Sequence, residues 1–286
     1  MKKLIKIILI CILITGCDLN SKTMENINIY TTSYPINYLI TSLYGEHSKI
    51  YSIYPTGVNI SDYELSDRKL EEYSQSELFI FNSLDKDRDY AVKMINLNNK
   101  LKVIDVATGM KYDNSIEELW LNPNDYLMMA QNIKKGLAEY IENPYLVEEI
   151  EEKYNTLEYN ISKLDANLNE TIENASYKTI VVDNDIFKYL KKHGLKVISL
   201  EENEDLSSTK IEEVKQLINS GKIKYIYSAS EKTNETVKKL LADKKVELVP
   251  LNTMNSIDGG ATTSNDNYIT IMTNNIDLLK KELYKE

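Results

Sequence analysis

The sequence predicts an α/β protein of two α/β lobes with parallel sheets, bridged by one long helix, with a cleft between the lobes. Three observations predict it. Short β-branched runs alternate with helical periods in the first part of the chain. The same alternation returns in the last part. Between them runs an amphipathic helical period of about thirty residues, long for a globular domain. The 286 residues, 42% of them hydrophobic, are enough for two lobes of ordinary size.

The elements follow in order. Lys2, Lys3 and Lys6 precede an apolar run over residues 7–14, then Thr15-Gly16-Cys17. A cationic start, a short apolar core and small residues before a cut read as a secretory signal, too short for a stable span. Ile14-Thr15-Gly16-Cys17 resembles a bacterial lipobox. That resemblance makes residues 1–16 a lipoprotein signal peptide, Cys17 the lipidated first residue and 17–25 a polar tether. Cleavage removes three Lys and no acid, taking the net charge from −10 to −13, and removes Cys11. With Cys17 lipidated, no thiol remains for catalysis, a disulfide or a metal.

Residues 26–142 form the expected N-terminal lobe. Strands are read at 26–30, 50–54, 77–81 and 102–106. Helical spacing covers 36–44, stopped by Gly45, and 66–73, opened by Ser66 as cap. Strands separated by helices indicate parallel βαβ units. A helix over 124–141 precedes Pro144. Residues 143–175 are the bridge, in which Ile150, Tyr154, Leu157, Ile161, Leu164 and Leu168 recur at steps of four and three. A free coiled coil is the alternative; βαβ patterns on both sides favour a helix packed along two lobes. Residues 176–286 form the C-terminal lobe. Its strands are read at 178–182, 196–200, 223–227 and 246–251, and its helices at 186–193, 209–219, 233–242 and 268–283. Asp258-Gly259-Gly260 marks a loop before the last helix.

Composition excludes several functions. A chain with 44 acids against 34 Lys and Arg is not a nucleic-acid binder. Two Cys and two His exclude zinc ribbons, tandem zinc fingers and all-thiolate sites. There is no Gly-x-Ser-x-Gly, no His-Glu-x-x-His and no phosphate-binding loop, so an enzyme is not expected. Ligands of open α/β sheets sit beyond the carboxyl ends of strands, which two facing lobes would gather around one cleft.

Several stretches carry a family resemblance in collinear order: Thr31-Thr32-Ser33-Tyr34-Pro35-Ile36, Pro55-Thr56-Gly57-Val58, Ser61-Asp62-Tyr63-Glu64, Ser76 to Asn82, Trp120-Leu121-Asn122-Pro123 and Val182 to Leu190. The chain resembles the zinc/manganese receptor lipoproteins of ABC importers over nearly its whole mature length. The resemblance implies an extracytoplasmic solute-binding protein, anchored to the cell membrane through lipid on Cys17. It also implies a monomer that passes a metal ion or small solute to an importer permease. No cofactor is implied beyond a divalent metal ion as the transported ligand.

The family's usual metal ligands are replaced. Where its first segment reads Pro-His-x-Tyr-Glu, this chain has Ile60-Ser61-Asp62-Tyr63-Glu64, so Ser61 takes the His position. Glu118 stands two residues before Trp120, where the family has His. Asn184 stands at the third His or Glu position, and Asn252 at the fourth, an acid in the family. Asp62, Tyr63, Glu64 and Asp185 are the cleft-adjacent candidates, with Glu117 and Asp183 flanking. One anionic side chain and no imidazole make a poor zinc or manganese site. Three readings stay open: a divalent-ion receptor with an atypical His-free site, the same scaffold binding a small organic solute, and a surface adhesion lipoprotein. His47, in a turn, and His193, at a helix end, lie outside the four segments. Most of the 21 Tyr are expected in the core or on the surface rather than in an aromatic cage.

Overall fold

The structure, a computed structural model, describes residues 24–55, 58, 60–255 and 267–285. The signal, the lipobox with Cys17 and the glycine-rich loop at 258–260 lie outside them. In the first lobe, β1 (Ile27–Thr31), β2 (Ser48–Ser52), β3 (Leu78–Phe81) and β4 (Lys102–Asp105) form one parallel sheet in the order β2-β1-β3-β4. In the second, β5 (Thr179–Val182), β6 (Lys196–Ser199), β7 (Tyr225–Ser228) and β8 (Glu247–Pro250) repeat that order as β6-β5-β7-β8. In each sheet the chain steps outward once, then returns past its first strand. The carboxyl ends of β1 and β3, and of β5 and β7, are therefore the points where the winding reverses, which is where such sheets open a crevice.

The helices of the first lobe are α1 (Tyr34–Tyr44), α2 (Asp67–Ser74), α3 (Asp87–Leu97), α4 (Glu118–Leu121) and α5 (Pro123–Tyr140). The bridge is α6 (Pro144–Glu173). The second lobe has α7 (Ser208–Asn219), α8 (Glu235–Leu241) and α9 (Tyr268–Leu283). Their starts carry chemical signals. Ser66, Ser207 and Asn234 accept the N–H three residues on, and Asn267 forms a capping box with Thr270. Pro123 and Pro144 open α5 and α6 behind the capping amides of Asn122 and Asn143.

α6 runs 30 residues and buries Leu146, Ile150, Tyr154, Leu157, Ile161, Leu164, Leu168 and Ile172 as one stripe. That stripe joins both lobes. A single buried cluster runs from Ile29, Leu39 and Leu78 in the first lobe, along α6, to Ile180, Tyr227 and Met272 in the second. Each lobe also keeps a private core on the far face of its sheet, one around Phe79 and Met94, the other around Val181 and Val214.

Three expectations shift. The strand read at 50–54 sits at Ser48–Ser52, directly after a 3-10 turn over Gly45–His47. Residues 185–193 form a 3-10 helix, not an α-helix. α3 and the single turn α4 stand where no helix was read.

Candidate functional site at the lobe interface

The cleft begins where strands end. β1 runs into Thr32 and Ser33, β3 into Asn82, and β8 into the segment from Leu251 to Asn255. Between them is a cavity of about 40 Å³. Ser33, Asn82, Asp85, Asp87 and Glu117 line it from the first lobe, and Met254 and Asn255 from the second. Ile60, Ile116 and Trp120 complete the wall, which among the described residues holds three carboxylates and no Lys, Arg or His.

Asp87 is the most enclosed of the acids, 3% exposed at the first turn of α3. The Tyr54 hydroxyl donates to its Oδ1 at 2.9 Å. Burial pushes its carboxyl up to about 6, with Asp85 adding in the same direction against Thr32, Tyr54 and Lys86, which favour the charged form. The Ser33 hydroxyl is buried and has no hydrogen-bond partner among the described residues, whereas the Thr32 hydroxyl supports the Asp87 charge. Lys86, between the two Asp in sequence, puts its ammonium on the Tyr63 carbonyl at 2.7 Å. Glu117 accepts from Asn255 Nδ2 at 2.7 Å, a direct tie between the lobes, and also accepts from the Ser115 hydroxyl.

Aromatic groups clamp the lobes beside this cavity. Trp120 Nε1 donates to the Thr253 carbonyl at 2.9 Å. The Tyr268 hydroxyl donates to the Trp120 carbonyl at 2.7 Å. Tyr268 stacks on Tyr126 with ring centroids 3.8 Å apart, and Tyr126 donates to the Pro35 carbonyl. Met254 holds a left-handed φ of 60° next to the cavity, a conformation rarely taken by a long side chain.

The four aligned positions behave differently. Glu118 is fully buried, but its carboxylate folds back on the preceding loop. It accepts from Asn114 N at 3.1 Å, Asn114 Nδ2 at 2.6 Å and Asp113 N at 3.2 Å. Its nearest cation is Lys192 of the other lobe, at 3.5 Å, which also pairs with Asp113 at 3.0 Å. Asn184 caps the 3-10 helix by accepting from Ile186 N at 2.9 Å. Asn252 is exposed; its Oδ1 accepts from Met254 N, and Asn275 holds its backbone. Ser61 sits in the 3-10 turn Ile60–Asp62. None of Glu118, Asn184 and Asn252 lines the cavity; Glu117, one residue from Glu118, does.

The cleft-adjacent candidates are likewise engaged. Tyr63 packs edge-on to Tyr54, and Glu64 accepts from the Tyr90 hydroxyl at 3.2 Å. Asp62, in the same turn as Ser61, is exposed. Burial raises the Asp185 carboxyl, but Lys188 at 2.6 Å, with Ser199 and Asn203, outweighs it and leaves the group below its ordinary value. His47 pairs with Glu149 at 2.9 Å, and His193 with Asn169 at 2.7 Å. Burial lowers the His193 pKa, and its Nε2 has no partner among the described residues. Among the described residues, no three His, Cys, Asp or Glu side chains converge as a metal cluster.

A family profile described as "Zinc-uptake complex component A periplasmic" matches residues 29–282. The chain belongs to this zinc-uptake component A family. The zinc-binding lipoprotein AdcA of Streptococcus pneumoniae is 22% identical over 97% of the chain, which spans 60% of that relative's length. The high-affinity zinc uptake system protein ZnuA of Bacillus subtilis is 22% identical over 97% of the chain and 96% of the relative. The solved metal-dependent lipoprotein YcdH of Bacillus subtilis superposes with a TM-score of 0.77 at 19% identity, covering 90% of this chain and 99% of the other. The family's two-lobed fold is thus the fold of this chain. Within that fold, the described residues place carboxylates, amides and hydroxyls at the cleft, and neither His.

Proposed function

We propose that this chain is the extracytoplasmic solute-binding component of an ABC importer, anchored through lipid on Cys17 and delivering its cargo to a membrane permease. Its cargo is a divalent cation, taken by oxygen donors rather than by imidazole or thiolate. The observation that carries this reading is the cavity wall, in which the described residues supply three carboxylates and no basic side chain, set where the two sheets of an importer-receptor fold meet. Field lines from like charges in a closed cleft favour a cation. Oxygen donors suit the harder divalent ions. The volume of about 40 Å³ suits an ion or water. An organic solute needs roughly 300 Å³ or more.

The relatives are named for zinc; this chain lacks the imidazole set on which tight zinc sites depend. Chelator-stripped protein lacking residues 1–16 is melted with manganese, calcium, magnesium and zinc chlorides. An oxygen-preferring ion is expected to stabilise the fold by about 4 kcal/mol at a thousandfold excess over its Kd. A flat response to all four ions overturns the reading, as does a zinc effect exceeding the other three.

A further inference from the structure

Asp85 and Asp87 come from one short loop beyond β3 and line the same cavity. Asp87 takes the Tyr54 hydroxyl on Oδ1, and the Thr32 hydroxyl also favours its charged form. Asp85 uses its Oδ1 to accept from Lys86 N at 2.7 Å. Both side chains line the cavity, so each carboxylate can offer it an oxygen. On the wall formed beyond β1, Ser33 is nine-tenths buried and its hydroxyl has no partner among the described residues. A buried hydroxyl in that condition is rare in native proteins and marks a place where another atom belongs. The Glu117–Asn255 hydrogen bond at 2.7 Å closes the cavity from the other lobe.

We propose that this pocket seats a single hard divalent cation, ligated by carboxylate oxygens of Asp85 and Asp87 and by the Ser33 hydroxyl oxygen. Water completes its coordination, and the Glu117–Asn255 pair shuts the lobes over it. The inference rests on the receptor reading above and moves the ligands away from Ser61, Glu118, Asn184 and Asn252. Two carboxylates, a hydroxyl and water form a donor set that manganese, magnesium and calcium accept and zinc does not favour. Such a site also needs no three-acid cluster. The neighbouring charges fit the assignment. Lys86 donates to the Tyr63 carbonyl and is not among the described residues that line the cavity, although its charge favours ionised Asp87.

Chelator-stripped wild type, Asp85→Asn, Asp87→Asn and Ser33→Ala are titrated with manganese chloride by calorimetry, and bound manganese is followed by electron paramagnetic resonance. Each Asp variant is expected to bind at least tenfold more weakly, and Ser33→Ala several-fold more weakly, with wild-type far-ultraviolet dichroism. Asp85 is exposed, so its variant keeps the test valid if Asp87→Asn folds poorly. Unchanged manganese affinity in Asp85→Asn and Asp87→Asn, with loss in Asn184→Ala or Asn252→Ala, overturns the pocket and leaves the receptor reading standing. Absence of manganese, calcium and magnesium binding in the wild type overturns the receptor's cation reading itself.

Discussion

At the scale of single residues, Asp87 carries a cost that can be measured. Its folded value of about 6 stands above the ordinary 3.8 because burial disfavours the charge. The folded state therefore holds more protons than the unfolded state between those values. The contribution of Asp87 is most favourable below about pH 4 and declines as pH rises through 6, by up to about 3 kcal/mol for a shift of two units. Asp87→Asn keeps the shape and removes the charge. In metal-free protein, its stability relative to wild type is expected to rise between pH 4 and 6 and then stay level, as read by urea unfolding. A difference independent of pH would show that Asp87 titrates normally. Tyrosine shows how residue identity is used elsewhere in the core. Tyr44, Tyr126, Tyr227 and Tyr268 are fully buried rings whose hydroxyls donate to the carbonyls of Met24, Pro35, Leu279 and Trp120. Phe could fill the same volume but would forfeit these buried hydrogen bonds. The expectation that the many Tyr build core rather than a cage holds for these four.

At the scale of elements, what the sequence made legible depended on whether an element announces itself locally. α6 is readable because its apolar residues recur at helical steps for about seven turns, and α9 because Asn267 caps a clean period. α3 is not: Lys86 before it provides no side-chain cap, and it buries a charged residue, Asp87, in its first turn. The 3-10 helix Asp185–His193 had a signal that went unread. Its buried pairs Ile186 with Tyr189 and Phe187 with Leu190 are spaced by three, as is the Asp185–Lys188 ion pair. A period of three suits i, i+3 stacking better than the α-helical 3.6. The cleft was the least legible part. Motif spacing pointed to Glu118, but the backbone of residues 113–114 captures that carboxylate, and such a loop closure leaves no periodic trace. One element contact is sharp enough to predict. Gly136 lies in α5 against β4, and a Cβ there would stand 2.7, 2.8 and 2.9 Å from three side-chain atoms of Ile104. Two of those are the branch carbons of Ile104 and cannot swing aside. Gly136→Ala is expected to lose about 1–3 kcal/mol from overpacking, despite a gain in helix propensity of about 1 kcal/mol. Combining it with Ile104→Ala should cost less than the sum of the two single changes; simple additivity would mean that helix and strand are not in tight contact.

At the scale of the whole molecule, the two lobes share one buried core through α6, so they are less independent than a hinge drawing suggests. The clamp adds to this. Opening the cleft would break the Trp120–Thr253 and Glu117–Asn255 hydrogen bonds, and would separate the stacked Tyr268 and Tyr126 or pull Tyr268 from the Trp120 carbonyl. Each exposed donor would regain water, so the net cost per hydrogen bond is about 1 kcal/mol, but the buried aromatic area has no such replacement. A cation can shift the lobe equilibrium only by the difference in its affinity for the open and closed forms. If the metal-free protein already lies closed, that shift has little left to move. Small-angle scattering of stripped and manganese-loaded wild type is therefore expected to give the same radius of gyration. Trp120→Ala removes the indole donor and much of the aromatic wall, and should expand the stripped protein. Manganese should then restore the compact form, because the ligands assigned at Asp85, Asp87 and Ser33 remain. A wild type that contracts markedly on loading would mean that the clamp is too weak to hold the lobes without cargo. A Trp120→Ala protein that stays compact would mean that the shared core along α6, rather than the clamp, sets the closure.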